Sequence, residues 1–419
     1  VAGTTGGDES IRAISGKTGA PVWRHDTHEY GDGGWIYQVD VQYDYNGDGF
    51  PDVLACAGDD GNDTGPRRVY CLDGKTGLSI WETPNDGPVF SVIGVADFTG
   101  DGQPDAVAGA SNANETQGKV YGIDGSNGAK LWTSVTAGSS VWALIQIDDV
   151  TGDGFKDVAS GDFISGNVYF HNAVTGAQTK ITTIQNGALI LRFQDMGDVN
   201  KDGHPDFLVG HSGANGVMIN GYTGNILWQK PLADKSWNVT NMGDLNWDGV
   251  NDAAIGTLYV DNRTYFMDGP TGETMKQLAG NTPVDALSSI PDIVGDSSRE
   301  LVVGGRNGGL VCLSGGYDST LISVPGKERT GQVMAHVYPN PCRENLNVVV
   351  NLKTESGVGI AISDITGRLL YSTDMNSVPP GSHIYSINRE QFAGNQYRSG
   401  VCIVTVKTVE GTGHFKIVL

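Results

Sequence analysis

The chain is poor in positive charge. Its 419 residues hold 27 Lys and Arg against 48 Asp and Glu, a formal net charge of −21. That balance excludes a nucleic-acid binder, which needs clustered cations to displace counterions from phosphate. Cysteine is scarce too, and five in all cannot make the dense disulfide framework of a small secreted scaffold. No apolar run approaches the ~18 residues of a transmembrane helix. No initiator Met and no charged-then-apolar leader stand at Val1, so either a removed signal or a fragment is expected. Long helical patterns are missing as well. Gly, in contrast, numbers 61, about twice the usual ~7%, without a collagen period. Turn pairs such as Asp-Gly, Thr-Gly and Asn-Gly recur at short intervals. That rhythm predicts an all-β chain of many short strands.

Two units repeat. Asp44-Tyr-Asn46-Gly-Asp48-Gly-Phe-Pro-Asp52 recurs as Asp97 to Asp105, Asp149 to Asp157, Asp198 to Asp206 and Asp244 to Asp252. A worn sixth copy runs from Asp292 through Asp296 to Glu300. The starts are 53, 52, 49, 46 and 48 residues apart. Interleaved with it, Ile14-Ser-Gly-Lys-Thr18-Gly19-Ala-Pro-Val-Trp23 recurs before Trp81, Trp132 and Trp228. Weaker copies run through Thr175-Gly176 and Thr271-Gly272, with Thr179 and Met275 near the Trp place, and a relic near Cys312 puts Leu321 there. Four antiparallel strands per period, repeated about seven times, predict a seven-bladed β-propeller over residues 1–326. Strands two to four are counted seven times but the inner strand only six. Gly3 aligns with Gly109 and Gly161, so the first blade is expected to be incomplete at its N-terminus, with closure by a late strand such as Gln332 to Val337 as the alternative.

The Asp pattern places oxygens at positions 1, 3, 5 and 9, and position 7 can offer its carbonyl. Gly at position 6 permits the reversal that turns them inward. Those are the requirements of a hard cation, in the ligand order of an EF-hand loop, here flanked by strands. An Asx-rich turn without metal is the plainer alternative. Five intact copies favour about five Ca²⁺ sites, which would bring −21 to −11. Their ligands are Asp44, Asn46, Asp48 and Asp52; Asp97, Thr99, Asp101 and Asp105; Asp149, Thr151, Asp153 and Asp157; Asp198, Asn200, Asp202 and Asp206; Asp244, Asn246, Asp248 and Asp252. The worn copy, with Asp292, Asp296 and Glu300, is a weak candidate.

These loops resemble the FG-GAP and VCBS repeats of calcium-loop propellers. The Asp-Gly-Lys-Thr-Gly-x-x-x-Trp unit resembles the tryptophan-docking motif of PQQ-type propellers, which implies that Trp23, Trp81, Trp132 and Trp228 pack between blades. From residue 335 the character changes. Residues 327–334 read as a linker. Tyr338-Pro339-Asn340-Pro341, later Asp364-Ile-Thr-Gly367 and a terminal Lys416-Ile-Val-Leu419 resemble the type A sorting domain of the type IX secretion system. That resemblance implies an Ig-like β-sandwich over residues 335–419, the type IX machinery as a partner, and a secreted or outer-membrane-surface location in a Bacteroidetes-like bacterium.

The chain offers no Gly-x-Ser-x-Gly elbow, His-Glu-x-x-His pair or Walker loop, and no vicinal Cys pair for a quinone enzyme. It is therefore read as a non-enzyme that binds protein or glycan on the face opposite the Asp loops. A polysaccharide lyase, or the C-terminal part of a larger secreted enzyme, is the alternative. Seven residues before each Asp loop stand Tyr37, Phe90, Trp142, Leu191, Trp237 and Asp285, at the start of each inner strand. Those aromatics are candidate ligand platforms, and blade packing is their plainer role. His25 and His28, in the longest loop between blades, are candidates for a second metal or an acid–base pair. The expected cations of the variable loops are Arg67, Arg68, Arg263 and Arg306. A Cys342–Cys402 bridge is considered. Cys56 and Cys71 are expected to face apart, on a register in which Gly304 pairs with Val311.

Overall fold

The computed structural model describes residues 1–5, 7–60, 63–246, 248–280, 282–293, 298–314, 334–338, 342, 344–364, 368–392, 401–409 and 411–418. The chain divides into two compact units, Val1–Tyr317 and Asp318–Leu419. The first unit is a succession of antiparallel sheets, each a meander of neighbouring strands. The first sheet has three strands, Ala2–Gly3, Ser10–Ile14 and Pro21–Asp26. The next five have four strands each. They begin with the inner strands Ile36–Asp40, Val89–Val95, Val141–Gln146, Ile190–Gly197 and Ser236–Gly243. The seventh has three described strands, Val284–Ile290, Glu300–Gly305 and Leu310–Leu313. All-β structure follows from β-branched strand residues cut by glycine turns.

In the second to sixth sheets the second strand is buried throughout, as in Val53–Ala57 and Asp105–Ser111, because both of its faces are covered by neighbouring sheets. Small residues make this close approach possible. A Cβ on Gly161 would stand 2.2 Å from Ile190 Cγ2 of the next sheet, and one on Gly3 would stand 2.3 Å from Ile36 Cγ2. Gly3 is thus the equivalent of Gly161, so the first sheet supplies strands two to four and Ala2–Gly3 is its second strand.

The second unit packs two sheets over one core. Met334–Tyr338, Asn345–Leu352 and Gly381–Asn388 form one sheet, and Leu369–Val378, Ser356–Asp364, Val401–Thr408 and Gly411–Val418 form the other. Leu346, Val348, Val350, Ile360, Ile362 and Val404 are among the side chains buried between them. Met334–Tyr338 pairs with Asn345–Leu352, which removes the alternative in which this late strand closes the first unit. The linker read at 327–334 lies, up to residue 333, outside the described residues, as do Leu321 and Pro339 to Pro341.

All five cysteines are free. Cys342 and Cys402 are buried in one hydrophobic cluster without a bridge. Cys56 pairs with Val69 and Cys71 with Leu54. Two-residue steps keep a side chain on the same face, so Cys56 and Cys71 share a face, contrary to the expected register. They lie on a diagonal, where neighbours are ~7–8 Å apart, too far for a bridge. The expected register differs at the guide hairpin, where Gly304 pairs with Leu310, not Val311.

Candidate functional site

The five Asp loops share one hydrogen-bond skeleton. The position-1 carboxylate accepts the N–H of the position-6 Gly: Gly49 to Asp44 at 2.7 Å, Gly102 to Asp97 at 2.8 Å, Gly154 to Asp149 at 2.8 Å, Gly203 to Asp198 at 2.8 Å and Gly249 to Asp244 at 2.8 Å. These glycines have φ of 84° to 95°, a region that L side chains rarely adopt. Position 5 then accepts the N–H of position 7, as Phe50 donates to Asp48 at 2.9 Å and Val250 to Asp248 at 2.9 Å.

Position 9 behaves differently. One oxygen of Asp52 accepts the N–H of Tyr45 at 2.7 Å; the other accepts the N–H of Gly74 at 2.9 Å, in the Thr-Gly turn of the same sheet. Asp105 holds Phe98 and Gly125 likewise, Asp157 holds Val150 and Ala173, Asp206 holds Val199 and Gly221, and Asp252 holds Leu245 and Gly269. In the worn copy Glu300 keeps the loop half of this clasp, accepting the N–H of Ile293 at 3.1 Å; Asp296 lies outside the described residues. The clasp carboxylates are buried, and burial pushes Asp206 up to about 6 and Asp252 up to about 7.

The clasped residue also receives the tryptophan of the preceding sheet. Trp23 Nε1 donates to the Gly74 carbonyl at 2.9 Å, Trp81 to Gly125 at 2.7 Å, Trp132 to Ala173 at 2.7 Å and Trp228 to Gly269 at 2.8 Å. Each indole lies on the turn glycine, where a Cβ on Gly77 would come within 2.5 Å of Trp23. These four tryptophans are inter-sheet fasteners. In the degenerate copies the ladder register places Lys180 opposite Phe170 and Lys276 opposite Phe266, as Trp81 stands opposite Cys71. The Trp place therefore belongs to Lys180 and Lys276, one residue beyond Thr179 and Met275. The Lys180 stem lies against Gly224 and its ammonium donates to Asn225 Oδ1 at 2.9 Å.

The loops thus offer two carboxylates, at positions 1 and 5, one Asn or Thr oxygen and a position-7 carbonyl. Among the described residues no three His, Cys, Asp or Glu side chains gather as one metal-holding group. The all-oxygen, mixed set still suits a hard cation, while main-chain N–H groups engage both oxygens of the position-1 carboxylate and of the position-9 carboxylate. If Ca²⁺ binds, Asp44, Asn46, Asp48 and the Phe50 carbonyl, with their equivalents, would hold it, and its charge would neutralise the loop carboxylates. Positions 3 and 5 also face the Thr-Gly turn. Lys75 pairs with Asp48 at 2.9 Å, and Asn172 Nδ2 donates to Asp153 at 2.6 Å.

The opposite face carries a feature the sequence did not reveal. The pairing of each described inner strand with its neighbour skips one residue, between Ile36 and Gln38, Val89 and Ser91, Val141 and Ala143, Ile190 and Arg192, Ser236 and Asn238, and Val284 and Ala286. The skipped residues are Tyr37, Phe90, Trp142, Leu191, Trp237 and Asp285. A bulge leaves the extra residue unpaired and re-aims its side chain, so these six are set apart by backbone geometry. Three of them meet. Tyr37 stands edge-on to Phe90 and Trp142, with centroids at 4.9 and 5.3 Å. Phe90 stacks on Trp142 at 4.7 Å and Phe163 stacks on it at 4.9 Å. Burial of this cluster pushes the Tyr37 hydroxyl up to about 12. Trp237 has no ring contact and no Nε1 partner among the described residues.

His25 and His28 do not share a site. His28 Nδ1 lies 2.7 Å from Asp26 Oδ1 and its Nε2 3.4 Å from Glu9 Oε2. Gly33 leaves room for that meeting, since a Cβ there would lie 2.5 Å from Glu9 Oε2. The His28 bond holds the Asp26 carboxyl down at about 2. His25 turns to the second sheet, with Nδ1 3.2 Å from the Gly77 carbonyl oxygen and its ring edge-on to Tyr70 at 5.1 Å.

Comparison with known proteins agrees with this architecture. Residues 7–200 match the family model of the outer membrane protein assembly factor BamB. Residues 336–419 match a secretion system C-terminal sorting domain. The chain therefore joins a BamB-like repeat domain to a type IX sorting tail. It is a secreted or cell-surface protein of a Bacteroidetes-type bacterium. Among solved structures it resembles Sqt1 of Saccharomyces cerevisiae (12% identity, TM-score 0.53), covering 82% of this chain and 88% of that one. It also resembles the β-propeller domain of Cps50 (Swd1) from Myceliophteria thermophila (12% identity, TM-score 0.50; 74% and 91% covered). These likenesses carry the fold alone, and that fold is β-propeller-like. No helix among the described residues is long and apolar enough to cross a membrane.

Proposed function

We propose that this chain is a seven-bladed, calcium-stabilised propeller with an Ig-like sorting sandwich, and that it binds protein or glycan through the face opposite its Asp loops. The observation that carries the reading is the bulge at each described inner strand. It sets Tyr37, Phe90, Trp142 and Trp237 at equivalent places on one face, away from the Asp and Thr-Gly turns. On this reading the Asp loops are structural and the protein is not an enzyme. Arg67, Arg68, Arg263 and Arg306 on the variable loops are committed to ion pairs. Phe90, Trp142 and Phe163 cover one another, whereas the half-buried Trp237 has no ring contact among the described residues. The test is a glycan and peptide array probed with the full chain and with Trp237→Ala. The expected result is ligand capture by the wild type and its loss in the variant, at an unchanged melting temperature. Absence of any captured ligand, or full retention by Trp237→Ala, overturns the reading.

A further inference from the structure

Cations are few in this acidic chain, and those counted on the variable loops are spent. Arg67 pairs with Asp59 at 2.6 Å, Arg68 with Glu82 at 2.8 Å, Arg263 with Asp261 at 2.9 Å and Arg306 with Asp285 at 2.6 Å. Two others on that face are not. Arg192 directly follows the bulged Leu191 on the fifth sheet's inner strand. Lys235 lies in the loop that enters the sixth sheet, two residues before the bulged Trp237. Among the described residues neither side chain has an ion pair or hydrogen bond. Gly210 lets the two inner strands approach: a Cβ there would lie 3.5 Å from Arg192 Cβ and 3.2 Å from the Trp237 carbonyl oxygen. Arg192 is exposed yet crowded, and the crowding lowers its pKa from the ordinary value by desolvation. The inner strands of the fifth and sixth sheets thus bring two cations without a partner among the described residues to the neighbourhood of the half-buried Trp237.

We infer that Arg192, Lys235 and Trp237 form a binding site for a uronic-acid sugar residue, its carboxylate on the Arg192 guanidinium and its ring on the Trp237 indole. This rests on the proposed ligand-binding role of the face and chooses the ligand's class. A guanidinium takes both oxygens of a carboxylate in one planar fork, and Lys235 adds a second, less directional charge. A uronate carries carboxylate and rigid ring on a single residue, suiting a guanidinium and an indole borne on the inner strands of neighbouring sheets. An acidic peptide carries its carboxylates on flexible chains with no ring fixed beside them. The four paired arginines cannot take the carboxylate without giving up their own partners.

The experiment is titration calorimetry of the full chain with oligogalacturonate, its methyl ester, a neutral glucan oligomer and a poly-glutamate peptide. The variants are Arg192→Gln and Trp237→Leu, with melting curves as folding control. The expected result is that oligogalacturonate binds at least tenfold more tightly than its ester. Arg192→Gln should remove that difference and leave the ester unchanged, while Trp237→Leu should weaken both. Equal binding of acid and ester, or an Arg192→Gln variant that still prefers the acid, overturns the site. So does tighter binding of poly-glutamate than of the uronate. If a neutral glucan alone binds and Trp237→Leu abolishes it, the inference fails while the proposed function stands; if none of the four binds, the inference fails and the array decides the proposed function.

Discussion

Asp105 and Trp81 belong to different sheets and meet on one residue, Gly125. Its N–H donates to the carboxylate at 2.9 Å and its carbonyl accepts the indole N–H at 2.7 Å. The carboxylate closes its own loop and presents Gly125 to the indole of the preceding sheet. The two side chains should therefore be energetically coupled. In a double-mutant cycle of Asp105→Asn and Trp81→Phe, each single change should destabilise by about 1–3 kcal/mol. The pair should fall short of the sum by about 0.5–3 kcal/mol. Denaturant midpoints of the four proteins measure this, and strict additivity would show that Gly125 transmits nothing.

Positions 1 and 9 of the loops should respond differently to calcium. Asp97→Asn removes a proposed ligand, so it should lower the bound Ca²⁺ from about five to about four and cost stability mainly in calcium. Asp105→Asn breaks the clasp and should cost stability with chelator present as well. Elemental analysis and melting with and without EDTA distinguish them. A wild-type melt indifferent to EDTA would show that the loops stand on their main-chain hydrogen bonds alone.

Acid should loosen the first unit through two buried histidines. Burial lowers His171 and His211 to about 4, and both are fully buried. The unfolded chain takes up their protons near pH 6.5 while the folded chain does so only near 4. Stability is therefore fully present above about pH 6.5 and is lost as pH falls toward 4, by roughly 3 kcal/mol per residue at most. Asp206 and Asp252 act in the opposite sense, their raised folded values favouring the fold as pH falls through 7 to 6. Comparing wild type with His171→Gln across pH 7 to 4 isolates the histidine contribution, and the variant's slope should be shallower.

Thiol chemistry should find five reduced cysteines in denaturant and one quickly reacting in the native protein. Cys312 is exposed. Burial pushes the Cys56 thiol up to about 12 and Cys71 higher still, and the thiolate is the reactive form. Fast labelling of Cys56 or Cys71 would contradict their placement.

Close packing of glycine between sheets predicts a further loss. Gly161→Ala would set a methyl 2.2 Å from Ile190 Cγ2, an overpacking worth about 1–3 kcal/mol. Gly154→Ala meets no neighbour but forces an alanine to φ 94°, a cost of about 1–3 kcal/mol. Thermal melts of the two variants give their order, and a Gly161→Ala protein as stable as wild type would mean the sheets part easily.

What the sequence disclosed was whatever is written in rare residue types. Aspartate, glycine and tryptophan mark the loops and fasteners, so the repeat, the turn faces and the docking role of Trp23, Trp81, Trp132 and Trp228 were legible. The bulges were not, because a skipped residue is a matter of pairing and Tyr37 or Leu191 looks like any strand residue. Counting back from the loops found the six positions without the reason for them. The double duty of Asp52 and its equivalents was hidden because one letter serves equally as ligand or clasp. Arg192 carries no such mark, since it lies within a strand and no loop motif surrounds it. Lys180 and Lys276 escaped notice because a lysine stem covering a glycine has no resemblance to an indole.

The tryptophan fasteners all point the same way along the chain, each from one sheet to the next. A length of chain running from one indole to the following one therefore carries a matched plug and socket, and such a length can be duplicated or deleted without leaving an unmatched seam. Lys180 and Lys276, which stand in the Trp place of their sheets, are the joints at which such a match would have to be made by a lysine stem instead of an indole.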